Sequence, residues 1–220
     1  MLIKDWMSKT PITAKPATSI MKAAKLMKEN GFKRLPVVDD DGRLVGIVSD
    51  RDIKEASPSK ATTLDMHELY YLLSEIKVAD IMTKTVFSVT NEDTVEKAAV
   101  IMMRQNIGGL PVIDADNHVV GVITDSDIFK VLVTITGVLS GGFQFGLELS
   151  DEAGSLKNVL DDLKANDTRI LSILTNYDDA KPGKRYVYIR IQPVDEARAK
   201  AVVERLKANH TLLYWARDDV

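Results

Sequence analysis

The chain has 220 residues, 45% hydrophobic and 28% charged, with a formal net charge of −3 and no cysteine. That length holds one large or two small domains, and the composition suits a packed core. Without a basic stripe, a thiol or an apolar run near the roughly 20 residues that span a bilayer, a polyanion binder, disulfide staples, thiolate zinc sites and a membrane span are all disfavoured, and a cytoplasmic protein is expected.

Taken in order, the chain repeats itself: residues 5–53 align with residues 80–128 without a gap. Met7-Ser8-Lys9-Thr10 returns as Met82-Thr83-Lys84-Thr85, and Leu35-Pro36-Val37-Val38-Asp39 as Leu110-Pro111-Val112-Ile113-Asp114. Two copies of one supersecondary unit, related by a pseudo-twofold axis with two equivalent crevices, follow from such a repeat. Within each copy a short lead-in strand precedes apolar residues at helical spacing: Ile20, Ala23, Ala24 and Met27, then Val95, Ala98, Ala99 and Met102. Thr18 or Ser19, and Asp93 with Glu96, suit the helix starts, and Asn30-Gly31 suits a stop. Strands at 35–38 and 44–49 are joined by the turn residues Asp39 to Gly42, with Asp114 to Asn117 doing the same in the second copy. Further helices open at Asp50 and Asp125, so each copy reads strand, helix, strand, strand, helix.

Between the copies, Ser57-Pro58-Ser59 predicts a loop and 64–76 a linker helix capped by Thr63 or Asp65. After Ser140-Gly141-Gly142 the character changes. A strand at 143–149, a helix carrying Leu156, Val159, Leu160 and Leu163, strands at 170–174 and 186–191 around a turn, a helix from Pro193 and a strand at 211–215 give the ferredoxin-like order. The expected fold is thus α+β or α/β. Its domains would be repeat one at 1–57, the linker loop and helix at 58–77, repeat two at 78–136 and a βαββαβ domain at 143–218.

Ser49 with Asp52, and Thr124 with Asp127, sit where a strand feeds a helix start, so free N–H groups and the positive end of the dipole favour an anion there. A hydroxyl there can donate to a phosphate oxygen, and a carboxylate one turn on can accept from ribose hydroxyls. The same residues also serve as ordinary caps. Arg51 and the Lys33-Arg34 pair have Ser126 and Gly108-Gly109 as counterparts. Either these cations are solvated surface charge, or the first-repeat crevice prefers a more phosphorylated ligand. His67, His118 and His210 are scattered without metal-ligand spacing, Asp39 to Asp41 read as a turn, and no phosphate loop or nucleophile elbow appears, so neither catalysis nor a metal is expected.

The duplicated Gly46 to Asp52 and Gly121 to Asp127 segments match the Gly-apolar-apolar-Ser/Thr-x-x-Asp pattern of CBS domains. With Leu-Pro-Val and the Met-rich first helix, residues 1 to about 135 resemble the paired arrangement called a Bateman module. The resemblance implies an adenosyl regulatory ligand (AMP, ADP, ATP or S-adenosylmethionine) and no required cofactor. Each crevice would join one helix start to the lead-in loop of the other copy: Ser49 and Asp52 to Thr85, Val86 and Phe87, and Thr124 and Asp127 to Thr10, Pro11 and Ile12. Asp151-Glu152-Ala153-Gly154-Ser155-Leu156 resembles the Asp-x-Pro-Gly-x-Leu turn of ACT domains, with Ala153 in place of proline. The whole order resembles the AcuB family associated with acetoin utilisation. The expectation is a non-enzymatic sensor and homodimer, with Tyr186, Tyr188, Tyr214 and Trp215 offering a contact surface. A structural adaptor with empty crevices, or an amino-acid sensor acting through the ACT-like part, are the other readings.

Overall fold

The computed structural model describes residues 1–57, 71, 73–178 and 180–217, and the chain divides into two compact units, Met1–Ile128 and Phe129–Val220. In the first unit, α1 (Ile20–Asn30) starts where the Ser19 side chain accepts from the Lys22 N–H and stops at Gly31, whose φ of 68° is left-handed. Ile20, Ala23 and Met27 are its buried stripe. β1 (Arg34–Val38) and β2 (Leu44–Ser49) form an antiparallel hairpin that runs directly into α2 (Asp50–Ala56).

The second copy repeats this with a short α3 (Val78–Ile81), β3 (Val89–Thr90), α4 (Val95–Gln105), β4 (Gly109–Ile113), β5 (Val119–Thr124) and α5 (Asp125–Thr136). Even the hairpin bulge recurs, between Val37 and Val38 and between Val112 and Ile113. The cap of α4 is Thr94, whose hydroxyl accepts from Lys97 N–H. Asp93, the residue expected there, instead accepts from the Thr90 N–H and from Lys97 Nζ.

The lead-in segments depart from expectation. Each opens as a short helical turn, Ile3–Asp5 and Val78–Ile81, and its extended part is minimal: one parallel bridge from Ala14 to Val37, and the two residues of β3 beside Val112 and Ile113. Each also docks on the other copy. Ile3 N–H donates to Asp93 and Val95 N–H to Met1, while Val78 N–H donates to Thr18 and Ile20 N–H to Ile76. Val78 accordingly lies in one core with Ile20, Ala23, Met27, Leu35, Val37 and Val48. Local periodicity cannot distinguish docking within a copy from docking across the pair, because both bury the same apolar face.

The motif glycines mark where the exchanged loops pass. A Cβ at Gly121 would lie 2.7 Å from the Ser8 carbonyl oxygen, and one at Gly46 would lie 3.2 Å from that of Thr83. Ser8 bridges Val122 and Thr83 bridges Ile47, so each loop runs against the second strand of the opposite copy.

In the second unit, β6 (Phe143–Ser150), β7 (Ile170–Asn176), β8 (Lys184–Ile191) and β9 (Thr211–Arg217) form an antiparallel sheet in the order β7-β8-β6-β9. α6 (Ser155–Ala165) and α7 (Glu196–Asn209) cover one face, burying Phe145, Leu147, Val187 and Ile189 against Val159, Leu163, Val202 and Leu206. α7 starts after Asp195, which accepts from Arg198 N–H, rather than at Pro193. The two helices are tied by Asp162, which accepts from Arg205 Nε at 2.6 Å and Asn209 Nδ2 at 2.9 Å and lies 2.9 Å from His210 Nε2. These bonds hold its carboxyl pKa at about 2, Asn209 contributing most, then Arg205, against the opposing effect of burial.

The four aromatics do not share one surface. Tyr188 and Tyr214 pair on the face opposite the helices with ring centroids 6.4 Å apart, while Trp215, one residue on, points to the other side against Phe143 at 5.9 Å. Most of the linker-helix span 64–76, with Thr63, Asp65 and His67, and the Pro58-Ser59 loop lie outside the described residues; Tyr71 and 73–75 are helical. No helix among the described residues is long and apolar enough to cross a membrane.

Candidate functional site

Both strand-to-helix junctions carry the same cap. At the first, Ser49 N–H and Oγ donate to Asp52 Oδ2 at 2.7 and 2.8 Å, and Asp52 N–H returns to Ser49 Oγ at 3.3 Å. At the second, Thr124 N–H and Oγ1 donate to Asp127 Oδ2 at 2.9 and 2.7 Å, and Asp127 N–H returns at 3.4 Å. This reciprocal arrangement satisfies two orphan donors of the helix start. It also revises the expected chemistry, since each hydroxyl proton is directed to the neighbouring carboxylate rather than held for a phosphate. Both bonds fall on Oδ2, which leaves Oδ1 as the oxygen able to accept from a diol.

Around the second junction lies a cavity of about 350 Å³. Its walls bring Thr10, Pro11 and Ile12 of the first lead-in loop together with Thr124 and Asp127. Pro11 and Ile12 supply apolar surface, while Thr10, Thr124 and the first turn of α5 supply polar groups, the mixture common to small-molecule pockets.

Lys33 and Arg34 line this same cavity. They were expected at the first-repeat crevice, with Ser49 and Asp52, and the structure places them at the other. The reason is the pseudo-twofold geometry: the segment that leaves α1 and enters β1 reaches across the pair, and Gly108 and Gly109, having no side chains, leave room for the guanidinium. The expectation that the first-repeat crevice is the more cationic therefore does not hold for this pair. Burial lowers the Arg34 pKa from its ordinary value, while Asp125 and Asp50 act in the opposite direction; an arginine remains charged at neutral pH.

Ser49, Arg51, Asp52, Thr85, Val86 and Phe87 are not among the residues lining this cavity. Arg51 is exposed in the first turn of α2, and Thr85 and Phe87 are exposed on the second lead-in loop. The Ile47 to Thr83 bridge brings that loop to β2 as the Ser8 to Val122 bridge brings the first loop to β5.

The cavity also includes Ser8, Phe32, Pro36, Asp125 and Ser126, which sequence reasoning did not single out. Phe32 had a legible signal: an exposed aromatic directly after the Asn30-Gly31 helix stop, where the second copy has Ile107. Elsewhere, His118 packs against Asp114 in its own hairpin, with Nδ1 3.3 Å from Oδ2. Among the described residues no group of three or more His, Cys, Asp or Glu side chains could hold a metal ion.

A duplicated unit with exchanged lead-in loops and a cavity at a strand-to-helix junction defines a tandem repeat pair. The CBS domain family matches residues 3–59 and 78–134, and the chain belongs to that family. The CBS domain pair of protein MJ0100, solved with 5′-methylthioadenosine and S-adenosyl-L-methionine, is 35% identical; the likeness covers 60% of this chain and 95% of that one, with a TM-score of 0.50. CBSX2 in complex with AMP is 32% identical over 61% of this chain and 97% of that one, TM-score 0.50. A Vibrio cholerae protein assigned to acetoin utilization, AcuB, is 28% identical over 63% of this chain and 95% of that one, TM-score 0.52. The L-aspartate semialdehyde sulfurtransferase of Methanocaldococcus jannaschii is 36% identical over 130 residues, which are 59% of this chain but only 23% of that enzyme.

Proposed function

We propose that the chain is a non-catalytic regulatory sensor whose CBS pair binds an adenosyl ligand, AMP, ADP, ATP or S-adenosylmethionine, and passes its occupancy to the second unit. The observation that carries this reading is the cavity in which Thr10, Pro11, Ile12, Lys33, Arg34, Thr124 and Asp127 converge. Asp127 would accept from the ribose hydroxyls, Pro11, Ile12 and Phe32 would flank the adenine, and Lys33 and Arg34 would face any phosphate. Ser49, Asp52, Thr85, Val86 and Phe87, with Arg51 at the rim, would form the related second crevice. The solved relatives with AMP or with 5′-methylthioadenosine and S-adenosyl-L-methionine support the ligand class.

The second unit is read as an ACT-like domain of the ferredoxin-like fold. Its support is the order β7-β8-β6-β9 with both helices on one face, together with the turn at Gly154, whose φ is 92°. The part of its sheet face that carries Tyr188 and the exposed Tyr214 suits a homodimer contact. The likeness to AcuB supports, at one remove, a role in acetoin utilisation. Amino-acid sensing has one observation in its favour, a groove beside the Gly154 turn lined by Ser150, Ser155, Lys184 and His210.

Titration calorimetry and thermal shift with AMP, ADP, ATP and S-adenosylmethionine test the reading. At a hundredfold excess over Kd, one site adds about 2.7 kcal/mol and visibly raises the melting temperature. No response at millimolar ligand would leave a structural adaptor as the better account.

A further inference from the structure

Each lead-in loop is fastened to the opposite copy by a methionine. Met7 and Met82 are equivalent in the repeat, and each lays its thioether on a motif glycine of the other copy. A Cβ at Gly121 would stand 2.6 Å from Met7 Sδ, and one at Gly46 would stand 2.5 Å from Met82 Sδ. Neither glycine has room for a methyl group, so sulfur and backbone are in full contact. The next residue of each loop then bridges to the strand. Ser8 N–H donates to the Val122 carbonyl at 3.0 Å and the Ser8 carbonyl accepts from Val122 N–H at 3.2 Å, while Thr83 and Ile47 exchange bonds of 2.9 and 3.0 Å.

The first of these latches lies behind the cavity. Ser8 and Val122 line it, and Thr10, Pro11 and Ile12 follow on the same loop. Met7 is not among the lining residues; its contact sets where the loop stands. Met7 and Met82 are half-buried, whereas Met27 and Met102 are enclosed beneath the first helix of each copy. A segment fastened by two backbone bonds opens locally at small cost, and each opening brings its sulfur to a small neutral oxidant. Oxidation then turns a polarisable apolar contact into a bulkier polar one.

We propose that Met7 is a reversible oxidation site that controls the Thr124/Asp127 crevice, its sulfoxide freeing the lead-in loop from Gly121 and weakening the adenosyl ligand. The co-reactant is hydrogen peroxide. Sulfur gives an electron pair to one peroxide oxygen, the S–O bond forms as the O–O bond breaks, and the departing hydroxide takes the proton left on the transferred oxygen, so one water is released. The new oxygen finds no space on the glycine side, and the enlarged group must move off, drawing Ser8 from Val122. The effect on ligand rests on the adenosyl reading above; the release of the loop does not.

The test treats full-length wild type and Met7→Leu with hydrogen peroxide and locates the oxidised methionines by peptide mass mapping. Amide exchange at Ser8 and Val122 and AMP affinity by calorimetry are read before and after treatment. Met103, 76% exposed on α4, is the reference for a sulfur open to the oxidant. Expected in the wild type are conversion of Met7 along with Met103, faster exchange at both amides, and AMP binding weakened roughly fivefold or more. Methionine sulfoxide reductases with dithiothreitol as reductant should restore both readouts, and Met7→Leu should keep its own exchange and affinity through the treatment. A Met7 that stays reduced when Met103 is fully converted, a Met7 sulfoxide that leaves either readout unchanged, or a Met7→Leu chain that responds as the wild type does would overturn the proposal. If the untreated wild type binds none of AMP, ADP, ATP and S-adenosylmethionine, the adenosyl reading fails by itself, and amide exchange still decides whether Met7 is the latch.

Discussion

The two copies of the repeat agree in everything the backbone demands and differ where side chains meet at their centre. Both have a hydroxyl and a carboxylate locked into a reciprocal cap, both have a bulge before the last residue of the first hairpin strand, and both send their lead-in segment to the other copy. At the centre, one copy offers Lys33 and Arg34 and the other offers two glycines. Identity therefore marks what the fold needs, and the departure from identity marks where the pair has become directional.

The largest expected effects come from the cores, where the comparison predicts sameness. Leu35→Ala and Leu110→Ala each truncate a fully buried side chain and should each cost about 2–5 kcal/mol in urea denaturation. If one is mild and the other severe, the copies do not share equally in one cooperative core. The motif glycines predict a graded difference instead. Gly121→Ala drives a methyl toward the Ser8 carbonyl at 2.7 Å and should cost about 3 kcal/mol, whereas Gly46→Ala meets mainly the flexible end of Met82, with the Thr83 carbonyl at 3.2 Å, and should cost about 1 kcal/mol. Equal costs would show that the lead-in loops are not held as described.

A third contrast sets the second unit against the first. Asp162 has its pKa lowered to about 2, so its contribution is complete above the unfolded value near 4 and is lost as pH falls through about 2. Asp162→Asn should remove roughly 2 kcal/mol at pH 7 and flatten acid unfolding of the second unit between pH 4 and 2, followed by its tryptophan fluorescence through Trp215. The smallest effects belong to the caps. Ser49→Ala and Thr124→Ala should each lower the melting temperature by an amount equivalent to about 1 kcal/mol, with Thr124→Ala alone altering nucleotide affinity at the cavity described.

Much of the first unit was legible in the sequence, because gapless duplication turns weak local signals into strong ones. Ser19, Gly31 and the hairpin turns all function as their residue types suggest. The pairing of Thr10 to Ile12 with Thr124 and Asp127 was reached through family likeness, and the cavity brings those residues together. Two things were not legible. The side on which Lys33 and Arg34 emerge depends on a crossing between copies that no local spacing encodes. The fate of the hydroxyl protons depends on whether a carboxylate three residues on turns back to meet them, and both capping and ligand contact use the same residues. In the second unit, alternation placed the strands, and the same period of two puts the neighbours Tyr214 and Trp215 on opposite faces of β9, so they cannot serve one surface.

The exchanged lead-ins mean that covalent order and structural order are different things in this chain. The residues that complete the second copy are read first, at positions 1–5, and those that complete the first copy come only after position 75. A fragment ending near residue 57 would thus carry a segment belonging to a partner it lacks, and would lack the segment that belongs to it. Such a fragment has a natural remedy: to find the complementary fragment, or a second copy of itself, and trade segments. The tandem chain is this trade made permanent by a peptide bond, and mixing separately produced halves should regenerate the pair at a rate set by concentration instead of by the linker.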